Sequence, residues 1–250
     1  MEVKIVYKKE KSLPSTNINW YPGHMAKTRR QITEDLKLID VVIEILDSRI
    51  PISSRNPDMA ELTKNKDKII ILNKSDLADK KENEKWVQYF KNKGQTAILA
   101  DCNIGKGINE ILRATEKIKE EEMEEYAKKG RTGRKIRAMV LGIPNVGKSS
   151  FINRVAKNSR LEVGNKPGVT RKKQWIRVNE KIELLDTPGV LWPKFESEEV
   201  ALNLSYTGTI KDDVLEKTEV AYQLLKLLLE EYRDRVIERY KLDPEYIEEI

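Results

Sequence analysis

The 250-residue chain has one cysteine and one histidine, and no apolar run approaches the ~20 residues of a membrane span. A single thiol, Cys102, excludes an intrachain disulfide and a zinc site built from several cysteines. Residues 1–10 hold no apolar core of the kind a secretory signal needs. The expectation is a cytoplasmic chain without a membrane partner, acting as a monomer.

Charge is what the chain has in excess. Charged residues make up 35% of it, against an ordinary quarter or so, and the net charge is +6. The sum hides an asymmetry. From Glu196 to Ile250 there are seven Lys/Arg against fifteen Asp/Glu, a net of −8, which leaves +14 on residues 1–195. A basic body suits a polyanionic partner such as RNA, held through its phosphates. A solvated Lys/Glu face is the plainer alternative.

Short β-branched runs alternate with amphipathic stretches, the pattern of a parallel sheet covered by helices on both faces. It predicts strands near Val41–Leu46, Lys68–Leu72, Thr96–Ala100 and Ile136–Leu141, then a hairpin of Gln174–Val178 and Ile182–Leu185 around Asn179-Glu180-Lys181. Helices are predicted near Met25–Ile39, Glu82–Asn92, Ile108–Ala127 and Lys148–Ala156. Glu121–Lys135 is charge-rich and ends in Gly130 and Gly133, which predicts a frayed helix end and a joint. Beyond Pro193 the pattern is helical only, with Val220, Leu224, Leu227, Leu228 and Val236 supplying an apolar face.

Gly142-Ile143-Pro144-Asn145-Val146-Gly147-Lys148-Ser149 fits the phosphate-binding loop, and it follows a predicted strand and opens a predicted helix. Such a loop turns the backbone N–H groups of Asn145, Val146, Gly147, Lys148, Ser149 and Ser150 toward phosphate oxygens, helped by the helix dipole. Lys148 would reach the β and γ phosphates, and Ser149 would bind magnesium. The loop alone does not choose the base. Asn73-Lys74-Ser75-Asp76 does, because it follows the strand Lys68–Leu72 and resembles the guanine-reading motif of Ras-like GTPases. Asp76 would accept from guanine N1–H and the exocyclic amine, Asn73 would support the base edge and its loop, and the aliphatic stem of Lys74 would cover the ring.

Asp186-Thr187-Pro188-Gly189 resembles the switch II motif, with Asp186 holding magnesium through water and the Gly189 N–H meeting the γ phosphate. Thr170 stands where switch I belongs and would complete the magnesium shell, a plain loop threonine being the alternative. Asn145 occupies the position that resembles a potassium ligand in potassium-activated GTPases; a loop-stabilising side chain is the other reading.

In Ras-like proteins the guanine motif comes last, whereas here it precedes the phosphate loop and the 61 residues after Gly189 contain no second copy. A sheet with its old termini joined through Glu121–Lys135 accommodates that order. These motifs resemble the circularly permuted GTPases, and with Asn19-Trp20-Tyr21-Pro22-Gly23-His24-Met25-Ala26-Lys27, Asp47-Ser48-Arg49-Ile50-Pro51 and Ser53-Ser54-Arg55-Asn56-Pro57 the chain is most similar to the YlqF/RbgA family of ribosome-biogenesis GTPases. The resemblance implies a circularly permuted Ras-like P-loop GTPase fold: a mostly parallel six-stranded α/β sheet with helices on both faces, plus a small all-α C-terminal domain. The boundaries expected are an extension at 1–18, the GTPase domain at 19–193 and the helical domain at 194–250.

The resemblance also implies GTP hydrolysis with Mg2+, coupled to late maturation of the large ribosomal subunit, with the helical domain contacting rRNA. The acidity of that domain departs from what an RNA contact needs, and a helical lid over the switches is the alternative. A nucleotide-gated RNA-binding scaffold and a GTPase of small-subunit assembly are the rival functions. Ras-like enzymes orient the attacking water with a glutamine after switch II, but Val190 and Leu191 follow Gly189 here. His24, in the run resembling the family's catalytic signature, is the candidate in its place, a helix cap being the plainer role. Asp47 and Arg49 read as a local ion pair holding their loop or as catalytic groups.

Overall fold

The computed structural model describes residues 22–130, 133–158, 175–187, 189, 191, 197–210 and 217–242, the side chains of 22–26 and 158 excepted. In chain order the elements among them are α1 (Pro22–Leu36), β1 (Val41–Asp47), α2 (Pro57–Leu62), β2 (Asp67–Asn73), α3 (Lys80–Asn92), β3 (Thr96–Leu99), α4 (Ile108–Ile118), α5 (Glu120–Lys128), β4 (Ile136–Leu141), α6 (Lys148–Asn158), β5 (Trp175–Arg177), β6 (Ile182–Asp186), α7 (Glu198–Tyr206) and α8 (Lys217–Tyr240). The strands form one sheet in the order β3-β2-β1-β4-β6-β5, parallel except for β5 against β6.

β1 is buried along its whole length because helices cover both of its faces. Its apolar residues alternate between the two faces of the sheet, as the strand period of two requires. Val41, Ile43 and Ile45 join Ile69, Ile71, Val140, Ile111 of α4 and Phe151 of α6. Val42 faces the other way, with Ile32 and Leu36 of α1, and Leu46 packs with Ile70, Leu72 and Phe90 of α3. Ala201 and Leu204 of α7 are buried in the same cluster as Val140 and Phe151, so the first helix after the switch II strand packs into the sheet's own core.

The permutation is visible in the sheet. β4, which carries the phosphate-binding loop, lies between β1 and β6, and its partner β1 comes from the first half of the chain, in the register Val41↔Ala138 to Glu44↔Leu141. Across the joint, Gly130 and Gly133 take positive φ values of 73° and 80°. Arg134 then closes on Asp40 at 2.8 Å and lies 4.0 Å over the Tyr126 ring.

The helices depart from the sequence expectation chiefly at three places. The helix predicted over Ile108–Ala127 is two helices meeting at Lys119, whose φ/ψ of −110°/7° leaves the helical range. Its ammonium bridges Asp67 at 2.8 Å and Glu122 at 2.7 Å. The acidic run Glu120-Glu121-Glu122 falls in the first turn of α5, where the helix dipole favours it. α2 went unpredicted, although Asn56 caps it through Met59 N–H and Pro57 opens it. Finally, α1 begins at Pro22, three residues earlier than expected.

Candidate functional site

The carboxyl ends of β1, β2, β4 and β6 converge on one edge of the sheet, where open α/β folds place their ligands. Three sequence motifs meet there. The loop from Gly142 to Gly147 leaves β4 and delivers Lys148 as the first residue of α6. Asn73 ends β2 and begins the guanine-type motif. Asp186 ends β6 in register with Val140, so it stands beside the start of the phosphate loop.

Asn73 ties two of these loops together. Its Nδ2 donates to the Val146 carbonyl at 2.7 Å, and its Oδ1 accepts from the Cys102 N–H at 3.0 Å. Gly147 is dictated by this contact. Its φ is 102°, and a Cβ there would fall 2.2 Å from Asn73 Nδ2, a distance no side chain can occupy. A third tie comes from Arg154 of α6, whose guanidinium donates to the Asn103 carbonyl. Nothing in the local sequence around Arg154 signals that bond, since its partner is 51 residues away.

Lys148 is buried, with its ammonium donating to the Ile143 carbonyl at 2.7 Å. Burial pushes its pKa down to about 8, with the Asp186 charge opposing that fall. Asp186 keeps an exposed face, yet partial desolvation of its carboxyl raises its pKa, and the Lys148 charge and the Thr187 N–H only partly offset the rise. Gly189 lies against the same ammonium: a Cβ at that position would be 2.7 Å from Lys148 Nζ and 3.0 Å from Pro144 N. Ser149 is exposed and Ser150 half-buried in the first turn of α6. Asn145 takes a positive φ of 62°, and its Nδ2 donates to the Gly208 carbonyl at 2.9 Å, a link to the segment after α7 that the sequence did not signal.

On the base side, Ser75 N–H donates to the Ala100 carbonyl at 3.1 Å, and Asp76 points to solvent. Lys74 pairs with Asp47 at 3.0 Å, and Arg49 pairs with the same carboxylate at 2.7 Å. The local ion pair of Asp47 and Arg49 is therefore formed, with Lys74 as an unforeseen third member. Thr170 lies outside the described residues. His24 lies in the first turn of α1, with its side chain outside the description.

The chain is 48% identical over 235 residues to ribosome biogenesis GTPase A of Bacillus cereus, a match spanning 93% of this chain and 79% of that protein. It belongs to the ribosome biogenesis GTPase A family. The relative of that name in Thermotoga maritima is 33% identical over 205 residues, covering 81% of this chain and 70% of its own. A crystal structure of GNP-bound YlqF from T. maritima superposes with a TM-score of 0.59 at 28% identity, over 82% of this chain and 75% of that one. A family model described as 50S ribosome-binding GTPase matches residues 137–243. Membership of the ribosome biogenesis GTPase A family makes the chain a GTP hydrolase, and the permuted six-stranded sheet is the fold of that family.

Proposed function

We propose that this GTPase of ribosome assembly acts late in maturation of the large subunit, binding its precursor and rRNA in the GTP state and releasing them after hydrolysis. Asn73 carries the nucleotide part of this reading. One side chain joins the phosphate loop to the base-side loop, so a single guanine nucleotide spans both. Asp76 reads the guanine edge, and the Lys74 stem covers the ring. The backbone from Asn145 to Ser150 cradles the phosphates, and Lys148 and the Gly189 N–H meet the γ phosphate.

Among the described residues no three His, Cys, Asp or Glu side chains gather as a metal cage. Magnesium would be held by phosphate oxygens and water, with Ser149, Thr170 and Asp186 as the protein's share, and the exposed positions of Ser149 and Asp186 suit that arrangement. When bound it neutralises charge on the β and γ phosphates. His24 orients the attacking water, and Asn145 offers its carbonyl to a potassium ion.

The large-subunit assignment rests on the family description that matches residues 137–243 and on the +14 carried by residues 1–195. Co-sedimentation of the GTP-analogue form with separated subunits tests it, together with GTP turnover in their presence. Binding to the large subunit with stimulated turnover is expected. Binding without stimulation would favour a nucleotide-gated scaffold, and preference for the small subunit would overturn the assignment.

A further inference from the structure

Asp47 closes β1 opposite Asn73, the last residue of β2, and the Ser48 N–H donates to the Asn73 carbonyl at 2.8 Å. The segment after β1 therefore runs beside the guanine motif. The Asp47 side chain is fully buried and both of its oxygens are used. Oδ1 accepts from Arg49 Nε at 2.9 Å and from the Arg49 N–H at 3.1 Å, while Oδ2 accepts from Arg49 Nη2 at 2.7 Å and from Lys74 Nζ at 3.0 Å. The Asp47 N–H is held by Ser54 Oγ at 3.0 Å. A carboxylate has about four lone-pair sites, and here each has a donor.

Lys74 needs such an anchor. Its φ of 60° is a left-handed conformation that disfavours a side chain with a Cβ. A free lysine also carries rotamer entropy that a ligand resting on its stem must remove. With the ammonium fixed at its far end by a buried carboxylate, the stem is ordered before any nucleotide arrives, so the ordering cost falls on folding and not on binding. Two influences act on the Asp47 carboxyl. Burial alone would raise its pKa, but the hydrogen bonds and charges of Arg49 and Lys74 outweigh burial and keep it below the ordinary carboxylate range. On Arg49 the Asp47 hydrogen bond is the strongest influence, and the Asp76 charge also favours its charged form. The pair thus touches Lys74 directly and lies within the field of Asp76.

We infer that Asp47 is a positioning residue for base recognition: it holds Lys74 extended as the platform under guanine, with Arg49 as the brace that keeps the carboxylate in place. This rests on the reading of Lys74 and Asp76 as the base-binding residues. Contacts to the base are the same before and after the γ-phosphoryl group moves, so losing the platform weakens binding uniformly. The expected signature is a change in KM without a change in kcat.

The test is a cycle of Asp47→Asn, Lys74→Met and the double variant in the full chain, with Kd for fluorescent GDP, KM and kcat for GTP, and Asp76→Asn measured alongside. Each single variant is expected to raise Kd and KM about tenfold, with kcat at saturating GTP within about twofold of the unmutated value. Because Asp47 acts through Lys74, the double variant is expected to be no worse than the weaker-binding single variant. Losses that multiply in the double variant, or a fall in kcat with KM unchanged, would overturn the inference. Should Asp47→Asn fail to fold, the same cycle with Arg49→Gln decides, by coupling or its absence. Asp76→Asn separates the two levels. If it moves preference from GDP to XDP while the cycle shows no coupling, only the positioning role fails; if it leaves GDP affinity unchanged, the base-site reading fails with it.

Discussion

Asn73 and Val146 stand 73 residues apart in the chain and 2.7 Å apart in the fold, joined by the Asn73 side-chain amide and the Val146 carbonyl. The same amide accepts from Cys102 N–H, so one buried residue holds the base-side strand end against the phosphate loop. Removing it leaves a buried carbonyl and a buried N–H without partners. Asn73→Ala is expected to cost about 2–4 kcal/mol of stability and to weaken GDP binding more than tenfold, readable by urea denaturation and by fluorescent GDP titration. Unchanged GDP affinity in the folded variant would show that the tie is structural only.

Lys148 supplies a pH dependence whose sign is fixed by burial. Its folded value of about 8 lies below the ordinary 10.5 of the unfolded chain, so between those values the unfolded state binds more protons. Stability of the nucleotide-free protein should therefore rise with pH through that window. Nucleotide binding works in the opposite direction, because phosphate charge beside the amine restores its proton. GDP affinity is expected to fall between pH 7.5 and 9, with proton uptake on binding, and the slope should vanish in Lys148→Met. Calorimetry in buffers of different ionisation enthalpy measures the uptake directly; none at pH 8.5 would mean the ammonium stays charged in the free protein.

Asn145 donates through Nδ2 to Gly208, which leaves its carbonyl oxygen as the atom to offer a potassium ion beside the phosphates. Hydrolysis is expected to be several-fold faster in potassium than in sodium at equal ionic strength, and Asn145→Ala should abolish the difference. The same substitution should increase amide exchange over residues 203–210, because it removes the bond between the phosphate loop and the segment after α7. Equal rates in the two salts would reduce Asn145 to that second role.

His24 is in the first turn of α1, which feeds β1 beside the phosphate-loop strand. His24→Ala is expected to retain GTP binding while losing most of the ribosome-stimulated hydrolysis. Stimulated turnover at the unmutated rate would remove His24 from the reaction; with α1 starting at Pro22 it stands inside the helix and not at the cap the sequence allowed.

The sequence by itself determined the sheet, the phosphate loop and the order of the motifs. Solid apolar runs such as Val41–Leu46 and Ile69–Leu72 specify buried parallel strands, and glycine at 147 specifies a backbone conformation, both through local chemistry. The capping signal of Asn56-Pro57 was equally local, and α2 was legible there. The break at Lys119 was not, because the residue leaves a good helical pattern to reach Asp67, 52 positions earlier. Tertiary structure alone decided which motif residues touch. Arg154 with Asn103, Asn145 with Gly208 and Lys74 with Asp47 are bonds between side chains and groups on separate segments of the chain. Sequence periodicity reports which face of an element is buried; which loop lies across from a polar side chain is fixed only when the strands pair, and here they pair across a permuted order.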